Sequence, residues 1–211
     1  MNRKILLGFA LLPLLGAGGA QADAKFEFAP FVGYRSGDKI DDLNRPLVKE
    51  LETDDGYSWG VLFDVNFGEN VQLEFLFSRQ ETDLEEKFVA GGGSRLTDID
   101  IDNYHVGGVY RFGDELDDVR PFVSFYLGAT NFRPAGLSSE NKFSFSFGGG
   151  VKFYFAERLG LMLMGRWTPT YINSSAGGYF CDPFGCWVVT DSQYFDQFEA
   201  TVGVIIRFGS Q

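Results

Sequence analysis

The single histidine of the sequence, His105, is the side chain best suited to acid–base chemistry. A catalytic histidine normally works beside a nucleophile such as serine, or beside a carboxylate that orients its ring. His105 lies in a run of alternating residues, with Asn103 and Gly107 on the same face, and we find no matching serine. We therefore predict no catalytic residue and interpret His105 as structural.

A second candidate is the segment DIDID, which places Asp98, Asp100 and Asp102 on one side of a strand end. They lie opposite an acidic run formed by Glu81, Asp83, Glu85 and Glu86. Carboxylate oxygens are the ligands of hard cations such as calcium, so a divalent site in this hairpin is one interpretation. The spacing is not that of an EF-hand loop, and we favour a simply hydrated hairpin with no metal and no cofactor.

The elements that position these side chains are β-strands. Apolar and polar residues alternate in long segments, most clearly at 143–155, and a period of two is the signature of a strand. The pattern predicts eight strands of roughly 9 to 13 residues, long enough to cross a bilayer when tilted. We place them at about 25–34, 57–67, 71–78, 103–112, 123–130, 143–155, 159–167 and 198–208. In the first strand, Phe31 falls on the polar face.

Short and long connections alternate between these strands. Short turns are predicted at 68–70, 113–119 and 156–157, and long loops at about 35–56, 80–100, 131–141 and 169–195. Short turns at one end and long loops at the other are typical of an up-and-down barrel whose short end faces the periplasm.

The same alternation predicts which charged side chains point into such a barrel. Asp64 and Glu74 face one another across the turn at 68–70, and a like-charge pair of this kind is destabilising without a cation between the two. We predict a buried network near the periplasmic strand ends, and we favour a structural role for it over an ion or proton path. Its members are Glu27, Asp64, Glu74, Arg111, Arg120, Lys152 and Arg207, of which Arg111, Arg120, Lys152 or Arg207 supplies the cation.

Residues 1–22 have the three parts of a secretory signal peptide, namely Arg3 and Lys4, an apolar stretch, and a small-residue cleavage site at 20–22. The mature barrel domain is then 23–211. Cleavage leaves 16 Lys and Arg against 29 Asp and Glu, a net charge of −13 that excludes a nucleic-acid partner. An exported chain meets an oxidising compartment, so we predict a disulfide between Cys181 and Cys186.

A two-layer sandwich in water would show the same alternation, with its apolar face in the core. Three features favour lipid instead: a polar face rich in Gly and Ser, a signal peptide, and aromatic residues at the strand ends, as in interface girdles. A strand as apolar as 143–155 would also aggregate at a free edge, which barrel closure removes. We therefore predict an all-β, eight-stranded, antiparallel, transmembrane up-and-down β-barrel. The girdle residues are Tyr57, Trp59, Phe67, Phe112, Phe155, Trp167 and Phe208.

With these strands, the stretch RPFVSFYLGATNF at 120–132 and the glycine-rich strand after it resemble the small eight-stranded barrels of Gram-negative outer membranes. This porin-family group includes outer membrane proteins A, X and W. The resemblance spans essentially the whole mature chain. It implies a monomer in the cell outer membrane, in contact with outer-membrane lipid and lipopolysaccharide and assembled by the barrel assembly machinery. Barrels that deacylate lipid A use a lipid-facing His and Ser, whereas His105 points inward.

An eight-stranded barrel is only wide enough to be filled by its own side chains. We therefore predict a non-enzymatic outer-membrane protein with a structural or surface-interaction role. The alternative is a narrow channel for small or apolar solutes, like outer membrane protein W. The segment YFCDPFGCW at 179–187 predicts an exposed apolar knob, which either binds a surface partner or folds back over the barrel mouth. The sequence identifies no such partner.

Overall fold

The computed structural model describes residues 26–36, 39–41, 48–88, 93–114, 117–136, 138–172, 179–182, 185–188 and 193–209. The predicted signal peptide lies outside these residues. In chain order the strands are β1 (Phe26–Arg35), β2 (Lys39–Asp41), β3 (Val48–Thr53), β4 (Gly56–Asn66), β5 (Val71–Phe88), β6 (Gly93–Arg111), β7 (Val119–Pro134), β8 (Glu140–Ala156), β9 (Leu159–Ile172), β10 (Tyr179–Asp182), β11 (Gly185–Val188) and β12 (Gln193–Phe208). Among the described residues, no helix is long and apolar enough to cross a membrane.

Eight of these strands close into a ring, which confirms the predicted barrel. The order around the ring is β1, β4, β5, β6, β7, β8, β9 and β12, and every neighbouring pair is antiparallel. Pairing of β1 with β12 completes the ring. Each of the eight strands in the ring is paired on both sides, which is what hydrocarbon requires because it offers no other hydrogen-bond partner.

Side chains alternate between the two faces of the wall as the sequence pattern predicts. In β7, Val123 and Leu127 are 50% and 47% exposed on the outer face, whereas Tyr126 between them is fully buried. In β1, Phe31 is buried inside the barrel on the same face as Glu27, where the alternation puts it. Large apolar side chains therefore cover the outer face, and most polar and charged side chains of the strands face inward.

The strands at the long-loop end extend beyond their predicted limits. The loop predicted at 80–100 is instead a continuation of β5 and β6, with Glu81 opposite Asp100 and Asp83 opposite Asp98. The β2–β3 hairpin pairs with the same part of β5. Past the membrane both faces of a strand meet water, so pairing continues where the apolar alternation stops. The prediction relied on that alternation and therefore ended these strands too early.

Two adjacent glycines of β6 lie on opposite faces of the wall, Gly107 toward the packed interior and Gly108 toward the open outer face. A Cβ atom at Gly107 would lie 2.0 Å from the Phe125 carbonyl oxygen and 2.7 Å from the Tyr126 Cα. A Cβ atom at Gly108 would meet nothing within 4 Å. Only Gly107 is therefore required by close packing of backbone against backbone.

We expect Gly107→Ala to destabilise the barrel by about 1–3 kcal/mol, since the neighbouring strand must move to admit the methyl group. Gly108→Ala is the matched control and should leave stability unchanged or slightly raised. The measurement is the temperature at which the unboiled, compact gel band of each barrel converts to the slower unfolded band. Equal transition temperatures for the two variants would contradict this account of the β6 wall.

Candidate functional site

The short-turn end of the barrel interior contains a buried ammonium group surrounded by acceptors. Lys152 in β8 donates to Glu27 Oε2 and Asp64 Oδ2, both at 2.8 Å, and to Gln72 Oε1 at 2.9 Å. The side chains of Lys152, Glu27 and Asp64 are at most 1% exposed. All three ammonium protons are therefore used, and Lys152 is the cation that lies against Asp64.

Further cations and a phenol surround Glu27. Its Oε1 accepts from the Tyr154 hydroxyl at 3.0 Å, and it lies 3.6 Å from Arg111 Nη1 and 3.4 Å from Arg207 Nε. Arg207 also stacks over the Tyr154 ring, with its Cζ 4.3 Å from the centroid. Glu27 is thus the acceptor on which three of the four candidate cations converge.

The remaining two predicted residues have different partners. Arg120 donates from Nη2 to the Glu69 carbonyl and to Asn70 Oδ1, each at 3.0 Å. It therefore binds the short turn at 68–70 rather than a carboxylate. Glu74 lies directly across from Asp64 in the β4–β5 register and accepts a hydrogen bond from the Tyr126 hydroxyl.

A second buried ion cluster lies further along the barrel, and the sequence analysis did not identify it. Arg35 donates to Glu199 Oε1 from Nη2 at 2.8 Å, Arg166 pairs with Glu199 Oε2, and both guanidinium groups donate to Ser78 Oγ. The three charged residues are register partners on adjacent strands, Arg35 opposite Glu199 and Glu199 opposite Arg166. The alternation places all three inward, so the signal was present, but Arg35 was assigned to a loop.

His105 has the serine partner that the sequence analysis did not find. Its Nε2 lies 2.9 Å from Ser144 Oγ, which belongs to β8 on the other side of β7. Thr130 Oγ1 lies 2.9 Å from the same Ser144 oxygen and 3.0 Å from Thr170 Oγ1. The expectation of no matching serine was therefore wrong, because the partner comes from a strand 39 residues away and not from the same segment. Ser144 is fully buried, so this chain of hydroxyl groups lies in the barrel interior.

Two clusters of buried apolar side chains lie in the interior, one above the short-turn network and one at the long-loop end. The first cluster includes Phe31, Phe122 and Met162, and the second contains Ile99, Ile101, Phe132, Ile172 and Phe195. In the second cluster the rings of Phe132 and Phe195 meet edge to face, with centroids 5.6 Å apart. Apolar and polar layers thus alternate along the barrel.

The DIDID segment is hydrated only in part, since Asp98 is exposed and Asp100 is half-buried, whereas Asp102 is not accessible to water. Asp102 is fully buried on the outer face, where Arg79 donates to it from Nε at 2.7 Å and Arg133 Nη2 lies 2.6 Å from its Oδ2. Asp100 Oδ2 is 3.5 Å from Arg133. Within the described part of the chain, no group of His, Cys, Asp and Glu could hold a metal ion. Two arginine side chains therefore neutralise Asp102.

The two cysteines lie in a short hairpin formed by β10 and β11. Their backbones are direct register partners, Cys181 opposite Cys186. The residues between the two strands, 183 and 184, lie outside the described residues. The disulfide itself stays a prediction.

Comparison with known proteins identifies the family. Residues 7–208 match the family model of the outer membrane protein beta-barrel domain. No curated protein matches the sequence significantly. Among solved structures, the outer membrane protein OprG from Pseudomonas aeruginosa is similar in fold, with 15% identity, a TM-score of 0.61, and coverage of 89% of this chain and 97% of that one. Neisserial surface protein A is also similar, with 14% identity, a TM-score of 0.56, and coverage of 87% and 97%.

These two likenesses are at the level of fold, and OprG is an outer membrane protein. The family match, which spans most of the sequence, gives the same location for this chain. The protein belongs to the outer membrane protein β-barrel domain family and resides in the cell outer membrane.

Proposed function

We propose that this protein is a non-enzymatic, closed barrel that acts as a structural or surface-interaction component of the outer membrane. The observation that supports this most directly is Lys152, whose ammonium group is tied to three strands at once through Glu27, Asp64 and Gln72. A side chain so held closes the short-turn end of the interior. The apolar cluster around Phe132 and Phe195 closes the other end.

The same proposal includes the features that precede and surround the barrel. Residues 1–22 are the cleaved signal peptide, and the mature chain is a monomer inserted by the barrel assembly machinery. Its outer face meets lipid and lipopolysaccharide, and its last loop is clamped by the Cys181–Cys186 disulfide.

The proposed absence of catalysis rests on how His105 and Ser144 are placed. Both are buried in the barrel interior, and the Ser144 oxygen lies 2.9 Å from the Thr130 hydroxyl. A nucleophile must reach a substrate atom, and this hydroxyl is enclosed by its neighbours. The pair is better suited to bracing β6 against β8.

The alternative function is a narrow channel for small or apolar solutes. The observation that favours it is the line of buried hydroxyls from Ser144 through Thr130 to Thr170, which could accompany water or a small polar solute over part of the barrel. Against it stand the two closed ends described above. The alternatives differ in one measurable property, which is conductance.

We expect purified mature protein in a planar bilayer to show no unitary conductance steps. Its insertion is checked separately by heat modification, in which the unboiled barrel migrates as a compact band and the boiled chain more slowly. Steps from a preparation that is fully heat-modifiable would reject the closed barrel and support the channel. Absence of the compact band would instead show that the sample had not folded.

We expect Lys152→Met to lower the free energy of unfolding by about 3–5 kcal/mol, because it leaves Glu27 and Asp64 buried together without their shared cation. Glu74→Ala, which leaves the buried Tyr126 hydroxyl without its acceptor, should also unfold earlier than the wild type. The measurement is urea unfolding in lipid vesicles.

Arg158→Met is the matched control, since it removes one positive charge from the same end of the barrel at an exposed turn position. Its stability should stay within about 0.5 kcal/mol of the wild type. If Lys152→Met were no less stable than Arg158→Met, the Lys152 network would not be what holds this end closed.

A further inference from the structure

The buried cluster of Arg35, Arg166 and Glu199 carries more positive than negative charge. Two guanidinium groups share one carboxylate, and the side chains of all three are at most 2% exposed. The nearby Asp102 does not correct the imbalance, because it lies on the outer face and is already paired with Arg79 and Arg133. Protonation of His105 would only add to the excess.

The same cluster has buried donors without an acceptor. Within the described residues, Arg35 Nη1, Arg166 Nε and Arg166 Nη1 have no hydrogen-bond partner, and neither do Asn103 Nδ2 and His105 Nδ1. Native proteins leave few such groups unpaired, so each one needs a physical explanation.

The two guanidinium groups meet in the interior at Ser78. Ser78 Oγ accepts from Arg35 Nη2 at 2.6 Å and from Arg166 Nη2 at 3.0 Å. Asn103 is the direct register partner of Ser78 on the next strand. His105 lies two residues further along that strand on the same face. The unpaired side-chain nitrogens therefore come from three strands, β1, β6 and β9, and face the same part of the interior.

Water and an anion would have different effects at this point. Water can accept from the unpaired N–H groups, but it leaves the excess positive charge in a region of low dielectric, which is costly. An anion accepts the same hydrogen bonds and cancels the charge. Because the interior of an eight-stranded barrel is only as wide as its side chains, the space favours a monatomic ion.

We propose that the barrel interior holds a halide-sized inorganic anion between Arg35 and Arg166, with Asn103 and His105 beside it. Chloride is the abundant ion of this class. The short-turn network differs, since Lys152 has two carboxylates of its own. Arg111 and Arg120 also have unpaired N–H groups, but they bind the turn carbonyl of Glu69, at the end of the barrel that faces water.

The first test is a bromide titration of the folded mature protein in detergent, with gluconate replacing bromide at constant ionic strength. Above its Kd, bromide should raise the melting temperature in proportion to the logarithm of its concentration, by about 5 °C or more at a 100-fold excess over Kd. Crystals grown in bromide should show an anomalous peak between the two guanidinium groups. A flat titration together with no anomalous peak at that position would overturn the proposal.

Two variants change the charge excess in opposite directions. Arg166→Gln leaves one arginine with one carboxylate, so bromide should no longer affect its melting temperature. Glu199→Gln leaves two arginines with none, so its bromide affinity should increase about tenfold or more. A bromide effect that persists unchanged in Arg166→Gln would place the anion elsewhere and reject the site. The wild-type titration and the crystal decide the matter if either variant fails to fold.

Discussion

The structure depends on one constraint, which is that every backbone N–H and C=O group in hydrocarbon must be paired within the protein. An open sheet of the same strands would leave two edges unpaired in lipid. The pairing of Phe26–Arg35 with the last strand removes both edges. Closure also fixes the use of the two faces. One face of each strand meets lipid and takes large apolar side chains, while the other faces an interior that is too narrow for bulk water.

A narrow interior forces charged groups to find partners across the barrel. Glu27 and Lys152 are 125 residues apart in sequence, lie on strands that are not neighbours in the ring, and meet at 2.8 Å. Such a contact ties distant strands together, because a buried charge that loses its partner is strongly destabilising. The apolar clusters between them fill space and keep water from the ion pairs. The interior thus works as alternating layers that specify one register.

On the outer face, a carboxylate near the long-loop end is neutralised by arginine side chains. Asp102 lies on the outer face of the barrel. A lone carboxylate would be poorly solvated there, and Arg79 and Arg133 cover it. Arg79 also lies over the Trp59 ring at 5.9 Å. This arrangement lets the paired strands continue past the aromatic girdle into the long β5–β6 hairpin. On both faces of the wall, therefore, buried carboxylates are paired with cationic side chains.

The sequence by itself determined the strand number, the up-and-down order and the face of each side chain, since these follow from a period of two that local residues display. Even the inward position of Phe31 could be predicted. The choice of Lys152 as the partner of Asp64, the Arg35–Glu199–Arg166 cluster and the His105–Ser144 contact required the tertiary structure. They depend on which strands lie opposite each other after closure, and the stagger of the ring is a property of all eight strands together. The far ends of β5 and β6 were missed for a related reason, because outside lipid the backbone pairing that extends a strand leaves no alternation in the sequence.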